Sequence, residues 1–158
     1  VKASPWTQKI ELFEGAVQNF SSAFAYDFVI CNPPYFPVYQ RSEEKTSRNT
    51  ARQQGELNLR ELLLHVNRLL RPHGRFALIL PTETLAEIEQ LALTFSLFIR
   101  KKTAVRYMRG KRVSRYLLEL GKEEVPLAKG EMCIQKPGTL QYTEEFIRLS
   151  RNFYAFMT

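Results

Sequence analysis

Residues Asn32-Pro33-Pro34-Tyr35 carry the most chemical content in the chain. They follow a continuous apolar run, Phe28 to Cys31, which reads as a short buried strand. Proline cannot continue a sheet ladder, and the residue before each proline is driven toward extended backbone. Asn32 and Tyr35 are therefore expected on a stiff loop at the C-terminal end of a strand, the edge at which open α/β sheets bind ligands. An exocyclic amine on a planar ring, such as N6 of adenine, has a delocalised lone pair and is a poor nucleophile. Two acceptors aimed at its hydrogens, the Asn32 side-chain oxygen and the Pro33 carbonyl, would localise that pair as a bond to a methyl group forms. Pro34 stiffens the loop and holds the acceptors in the attack geometry. Tyr35 offers a ring to stack on the base, for roughly 1–3 kcal/mol. The competing readings are a plain proline turn or a ligand for a WW domain. That ligand pattern is Pro-Pro-x-Tyr, whereas Tyr35 follows Pro34 directly.

Charge is the second signal. The formal net charge is +7, yet Arg100 to Arg115 hold eight cations and no acid: Arg100, Lys101, Lys102, Arg106, Arg109, Lys111, Arg112 and Arg115. Without them the chain would sum to about −1 (7 minus 8). One basic strip of that size suits a phosphate backbone. The alternative is a solvated hairpin whose cations guard an edge strand. Arg48 and Arg52 add cations to a polar stretch from Pro37 to Gly55, which reads as a substrate-side lid or as a solvated loop.

The elements that must position these groups follow from periodicity. Ile10 to Phe13 reads as a strand, with a turn at Glu14-Gly15-Ala16-Val17. Leu59, Leu62, Leu63, Val66, Leu69 and Leu70 fall on helical spacing, with Asn58 and Glu61 as a capping box, and Pro72 and Gly74 are expected to end that helix. Phe76 to Leu80 reads as a buried strand stopped by Pro81, and Thr84 and Glu87 as the capping box of a second helix. Leu97–Met108 and Val113–Leu120 form a hairpin around Arg109-Gly110-Lys111-Arg112. Glu131 to Gln135 adds a short strand, and Thr143 to Arg151 a short helix. Strand–helix alternation implies an α/β fold with right-handed parallel crossovers.

With 158 residues, 44% hydrophobic and 25% charged, residues 1–158 are expected to form part of one soluble domain. No apolar run approaches a membrane span, and the first residues resemble neither a signal peptide nor a Met start. Cys31 and Cys133 suggest neither a disulfide framework nor a metal site, so a reducing, cytoplasmic setting is expected.

Asn-Pro-Pro-Tyr is the signature of amino-methyltransferases that use S-adenosylmethionine. Ser4-Pro5-Trp6, Lys9-Ile10-Glu11-Leu12, Gln18-Asn19-Phe20, Asn49-Thr50-Ala51-Arg52, Tyr142-Thr143-Glu144-Glu145-Phe146 and Arg151-Asn152-Phe153-Tyr154 narrow the match. Along essentially its whole length the chain resembles the tRNA1(Val) (adenine(37)-N6)-methyltransferase family. That resemblance implies a Rossmann-like class I methyltransferase sheet, mostly parallel with a terminal antiparallel hairpin. It implies methyl transfer from S-adenosylmethionine to the N6 amine of adenine in tRNA. Asn32, Pro33, Pro34 and Tyr35 would be catalytic, and Ala16, Val17 and Asn32 would lie at the cofactor. Ala16 falls where the class usually has an acidic residue, so contact there would pass to backbone amides or to Val17. Arg48, Arg52, Lys101, Lys102, Arg106, Arg109, Lys111, Arg112 and Arg115 would hold RNA. The Gly-rich turn that carries most of the cofactor site in this class is not found in the chain. The sequence therefore reads as the C-terminal portion of such an enzyme, lacking the first two strand–helix units, inactive and weak in cofactor binding by itself. An exposed sheet edge and self-association through it are further expectations. Two alternatives stay open: methylation of a glutamine amide on a protein with the same tetrad, and a non-catalytic nucleic-acid-binding remnant.

Overall fold

The computed structural model describes residues 4–33 and 58–154. Its frame is a five-stranded mixed sheet with strands β1 (Tyr26–Cys31), β2 (Leu70–Pro81), β3 (Phe98–Met108), β4 (Val113–Gly121) and β5 (Ala128–Gln135). The spatial order is β1-β2-β4-β3-β5. β1 pairs parallel to β2 and β3 parallel to β5, while β4 is antiparallel to both its neighbours. Every strand but β4 thus points the same way, which is the expected parallel sheet with an antiparallel insertion.

Helix α1 (Leu59–Leu69) forms where the sequence predicts it. The Asn58 side chain accepts from the Glu61 N–H at 2.9 Å, and Leu59, Leu62, Leu63, Val66 and Leu69 bury one face. The chain passes from Leu69 straight into β2, so Pro72 and Gly74 lie inside a strand instead of ending the helix. Pro72 is tolerated because the β1–β2 register breaks there. Tyr26 pairs with Leu70 and Phe28 with Arg75, so the residues between need no regular ladder. Gly74 sits in the same irregularity, where a Cβ would lie 2.8 Å from the Tyr26 carbonyl.

A 3-10 turn (Thr82–Thr84) leads into α2 (Leu85–Thr94). The expected capping box does not form: the Thr84 hydroxyl donates to the Pro81 carbonyl at 2.9 Å instead of capping its own helix. Helix α3 (Glu144–Ser150) starts at Thr143, whose hydroxyl accepts from the Phe146 N–H at 3.2 Å. The core lies on one face of the sheet, where Phe76, Leu78, Leu80, Leu118 and Leu120 meet Leu62, Leu63, Val66, Ile88 and Ala92.

Two strand expectations are corrected. Ile10 to Phe13 forms no strand, since no described residue offers it a ladder, and Leu12 and Phe13 are exposed. The run Phe28 to Cys31 is a strand, but it is not buried on both faces. β1 is an edge strand, so only Val29 and Cys31 reach the core, while Phe28 and Ile30 are 48% and 76% exposed. Among the described residues, no helix is long and apolar enough to cross a membrane.

Candidate active site

Strand direction fixes which groups share an end of the sheet. Cys31 lies opposite Leu78 in the parallel β1–β2 pair, so Asn32 leaves the sheet at the C-terminal end of both strands. Asn32 is exposed and Pro33 buried; Pro34, Tyr35, Arg48 and Arg52 lie outside the described residues. Behind Asn32 is an apolar recess of about 310 Å³ lined by Ile30, Cys31, Ala77, Ile79 and Leu117. Burial pushes the Cys31 thiol above its ordinary pKa.

The turn at 14–17 comes to the same end. Gln18 Nε2 donates to Glu61 Oε2 at 3.2 Å in the first turn of α1, and Arg68 donates to the Phe20 carbonyl at 2.6 Å in its last turn. Because β2 starts where α1 stops and both share one core, α1 begins at the end where β2 finishes. Residues 14–17 therefore stand on the Asn32 side of the molecule. They line a recess of about 510 Å³ with Phe13, Asn19 and Phe20, whose floor is braced by an edge-to-face contact of Phe13 with Phe20 at 5.1 Å. Apolar walls and turn amides of this kind suit a flat purine ring.

The basic strip lies along β3 and β4, and the hairpin tip that joins them also projects past this end. Arg115 pairs with Pro81 at the end of β2, and Arg109, Lys111 and Arg112 lie beyond it. Lys102 is farther back, level with Leu118, which faces Leu78 and so Cys31. Three of the eight cations have local acid partners that the sequence did not disclose. Lys102 pairs with Glu89 at 2.8 Å, Arg106 with Glu131 at 3.7 Å and Arg100 with Glu123 at 3.9 Å. Each acid comes from another element, so only the fold shows the pairing.

Comparison with known proteins decides the family. A curated protein of Aeromonas salmonicida is 39% identical over 157 residues, covering 99% of this chain and 65% of its own. One from Tolumonas auensis is 32% identical over 158 residues, covering 100% of this chain and 65% of its own. One from Shewanella frigidimarina is 33% identical, covering 98% of this chain and 68% of its own. All three are named tRNA1(Val) (adenine(37)-N6)-methyltransferase. The chain belongs to that family. It spans about two thirds of the length of these relatives. No family model matches it. The fold agrees: a crystal structure of a predicted O-methyltransferase from Agrobacterium tumefaciens superposes with a TM-score of 0.62, at 16% identity, over 89% of this chain and 62% of its own.

Among the described residues of this family member, three candidate elements lie toward one end of the sheet: the end of β1, the turn at 14–17 and the tip of the β3–β4 hairpin. Sequence reasoning named residues of all three. It missed the wall behind Asn32, because Ala77, Ile79 and Leu117 read there only as core strand positions. Among the described residues, no group of His, Cys, Asp and Glu is arranged to hold a metal ion.

Proposed function

We propose that the chain carries the acceptor side of an S-adenosylmethionine-dependent methyltransferase acting on the N6 amine of adenine in tRNA. The observation that carries this reading is the position of Asn32-Pro33 at the C-terminal end of β1, on the side of the molecule shared with the 14–17 turn and the hairpin tip. When bound, S-adenosylmethionine supplies an electrophilic methyl group.

The chain's own residues supply orientation and polarisation. Asn32 Oδ1 and the Pro33 carbonyl would accept from the two N–H groups of the amine, which localises on nitrogen the lone pair otherwise delocalised into the ring. Charge developing on that nitrogen then meets fixed acceptors, with no titrating base needed to create them. Tyr35 stacks on the base, and Pro34 keeps the acceptors from swinging away. Ala16 and Val17 fit the adenine moiety of the cofactor through backbone amides and apolar contact, since neither offers a carboxylate. The long basic hairpin favours RNA over a protein glutamine as the acceptor.

The test is transfer of labelled methyl to unmodified tRNA by the full-length gene product, followed by nucleoside analysis. N6-methyladenosine that disappears in Asn32→Ala, with RNA affinity retained, is the expected result. Methyl label on a protein glutamine would favour the amide reading. RNA binding with no methylation would leave a binding module.

A further inference from the structure

The eight cations of the basic strip are not equivalent, and their placement divides them. Lys101 and Lys102 pair with Glu119 and Leu118 of β4, levels that face Ala77 and Leu78 of β2, well behind the hairpin tip. Lys102 is held by Glu89 at 2.8 Å. At the other extreme are Arg109, Lys111 and Arg112, which are exposed and make no ion pair among the described residues. Their turn is not loose. The Lys111 N–H donates to the Met108 carbonyl at 3.1 Å, and Gly110 takes φ +82°, the left-handed conformation such a turn needs at its third residue. Arg106 braces the turn by donating to the Lys111 carbonyl at 2.6 Å, so its guanidinium is engaged within the protein.

The reach follows from strand geometry. Leu118 of β4 is level with Cys31 through Leu78. From Leu118 to Val113 is about 17 Å at the usual rise, and β1 to β4 is two strand spacings, about 10 Å. The start of the tip is therefore about 20 Å from Cys31, roughly six stacked nucleotides at about 3.4 Å each.

We propose that the tip of the β3–β4 hairpin, through Arg109, Lys111 and Arg112, is a preformed phosphate clamp that grips RNA backbone about six nucleotides from the base at Asn32. This rests on the nucleic-acid reading above and sharpens it. Lys102, already held by Glu89, contributes little to the grip, although sequence alone gives it equal standing. Short oligonucleotides containing the target adenine would not reach the clamp, whereas a stem–loop would.

The experiment measures affinity of the protein for a labelled anticodon-type RNA stem–loop by fluorescence anisotropy, between roughly 50 and 200 mM salt. The triple variant R109Q/K111Q/R112Q is compared with K102Q, and unchanged melting temperatures confirm that both fold. At about 0.7 in slope per phosphate contact on a single strand, the triple variant loses about 2 from the salt slope and binds about 100-fold more weakly at about 0.1 M salt. K102Q loses less than about 0.7, the value of one contact. A triple variant with a wild-type slope overturns the clamp and leaves the methyl-transfer reading standing, as does an equal loss in both variants. Wild-type protein that binds no RNA overturns the clamp together with the nucleic-acid reading beneath it.

Discussion

Ile30 and Leu78 look alike in the sequence, each an aliphatic residue inside an apolar run, and the fold gives them opposite weights. Leu78 is 3% exposed within the core between the sheet and α1, so Leu78→Ala removes buried methyl groups and leaves a cavity, at a cost of about 2–5 kcal/mol. Ile30 points to the opposite face of the sheet and is 76% exposed. Full burial of an isoleucine side chain is worth about 1.5–3 kcal/mol, and Ile30 retains about a quarter of it. Ile30→Thr keeps the β-branched shape that strands favour, so its cost is about 0.5 kcal/mol. The assay is urea unfolding of both variants and the parent, fitted by linear extrapolation at a low and a high protein concentration. A loss above about 2 kcal/mol for Ile30→Thr at low concentration would refute the open face, because a cost of that size requires burial. A loss that appears only at high concentration would assign the β1 face to a contact between copies, since association stabilises by mass action. That second outcome is what we infer for this chain: β1 has a strand neighbour on one side only among the described residues, and its outer face is apolar.

Other outcomes follow from single positions. Gly74→Ala should cost about 1–3 kcal/mol in the same assay, because the new methyl meets the carbonyls of Tyr26 and Arg71 at 2.8 and 3.0 Å and both are backbone. Cys31 has a pKa raised by burial, so folding holds its proton more tightly than the unfolded chain does. Its stability contribution is complete below the ordinary thiol pKa of about 8.5 and is lost as pH rises through the folded value. Unfolding free energy should therefore fall above that pH, and Cys31→Ala should flatten the decline. The 158-residue chain should bind S-adenosylmethionine weakly, since the sequence carries no Gly-rich turn of the kind that holds most of the cofactor in this class; tight 1:1 binding by isothermal titration would contradict this.

Local signals carried much of the fold. The Asn58 cap onto the Glu61 N–H, the leucine spacing of α1 and the Gly110 turn all act within four residues, and each is present as expected. Expectations failed where a long-range partner decides. Ile10 to Phe13 has strand composition but no ladder among the described residues, and Phe28 to Cys31, expected to be buried, is a strand with one face open. Thr84 shows the same limit at short range, because its hydroxyl had two acceptable uses and the tight turn after Pro81 took it.

The site divides in the same manner. The position of Asn32-Pro33 was legible because it is local: an apolar run that meets two prolines ends as a strand there, and Asn32 leaves the sheet at the C-terminal end of β1. The basic strip was legible only as a total charge. Lys102, Arg106 and Arg100 meet Glu89, Glu131 and Glu123, residues 13 to 25 positions away along the chain, and no spacing rule links them. Surface pairs of this type add little stability. Their consequence is electrostatic: they lower the positive potential over the middle of the sheet and leave it highest at the hairpin tip. A phosphate chain drawn to that tip would be held beyond the C-terminal end of β2, the end at which Asn32 also leaves the sheet, as the clamp proposed above requires.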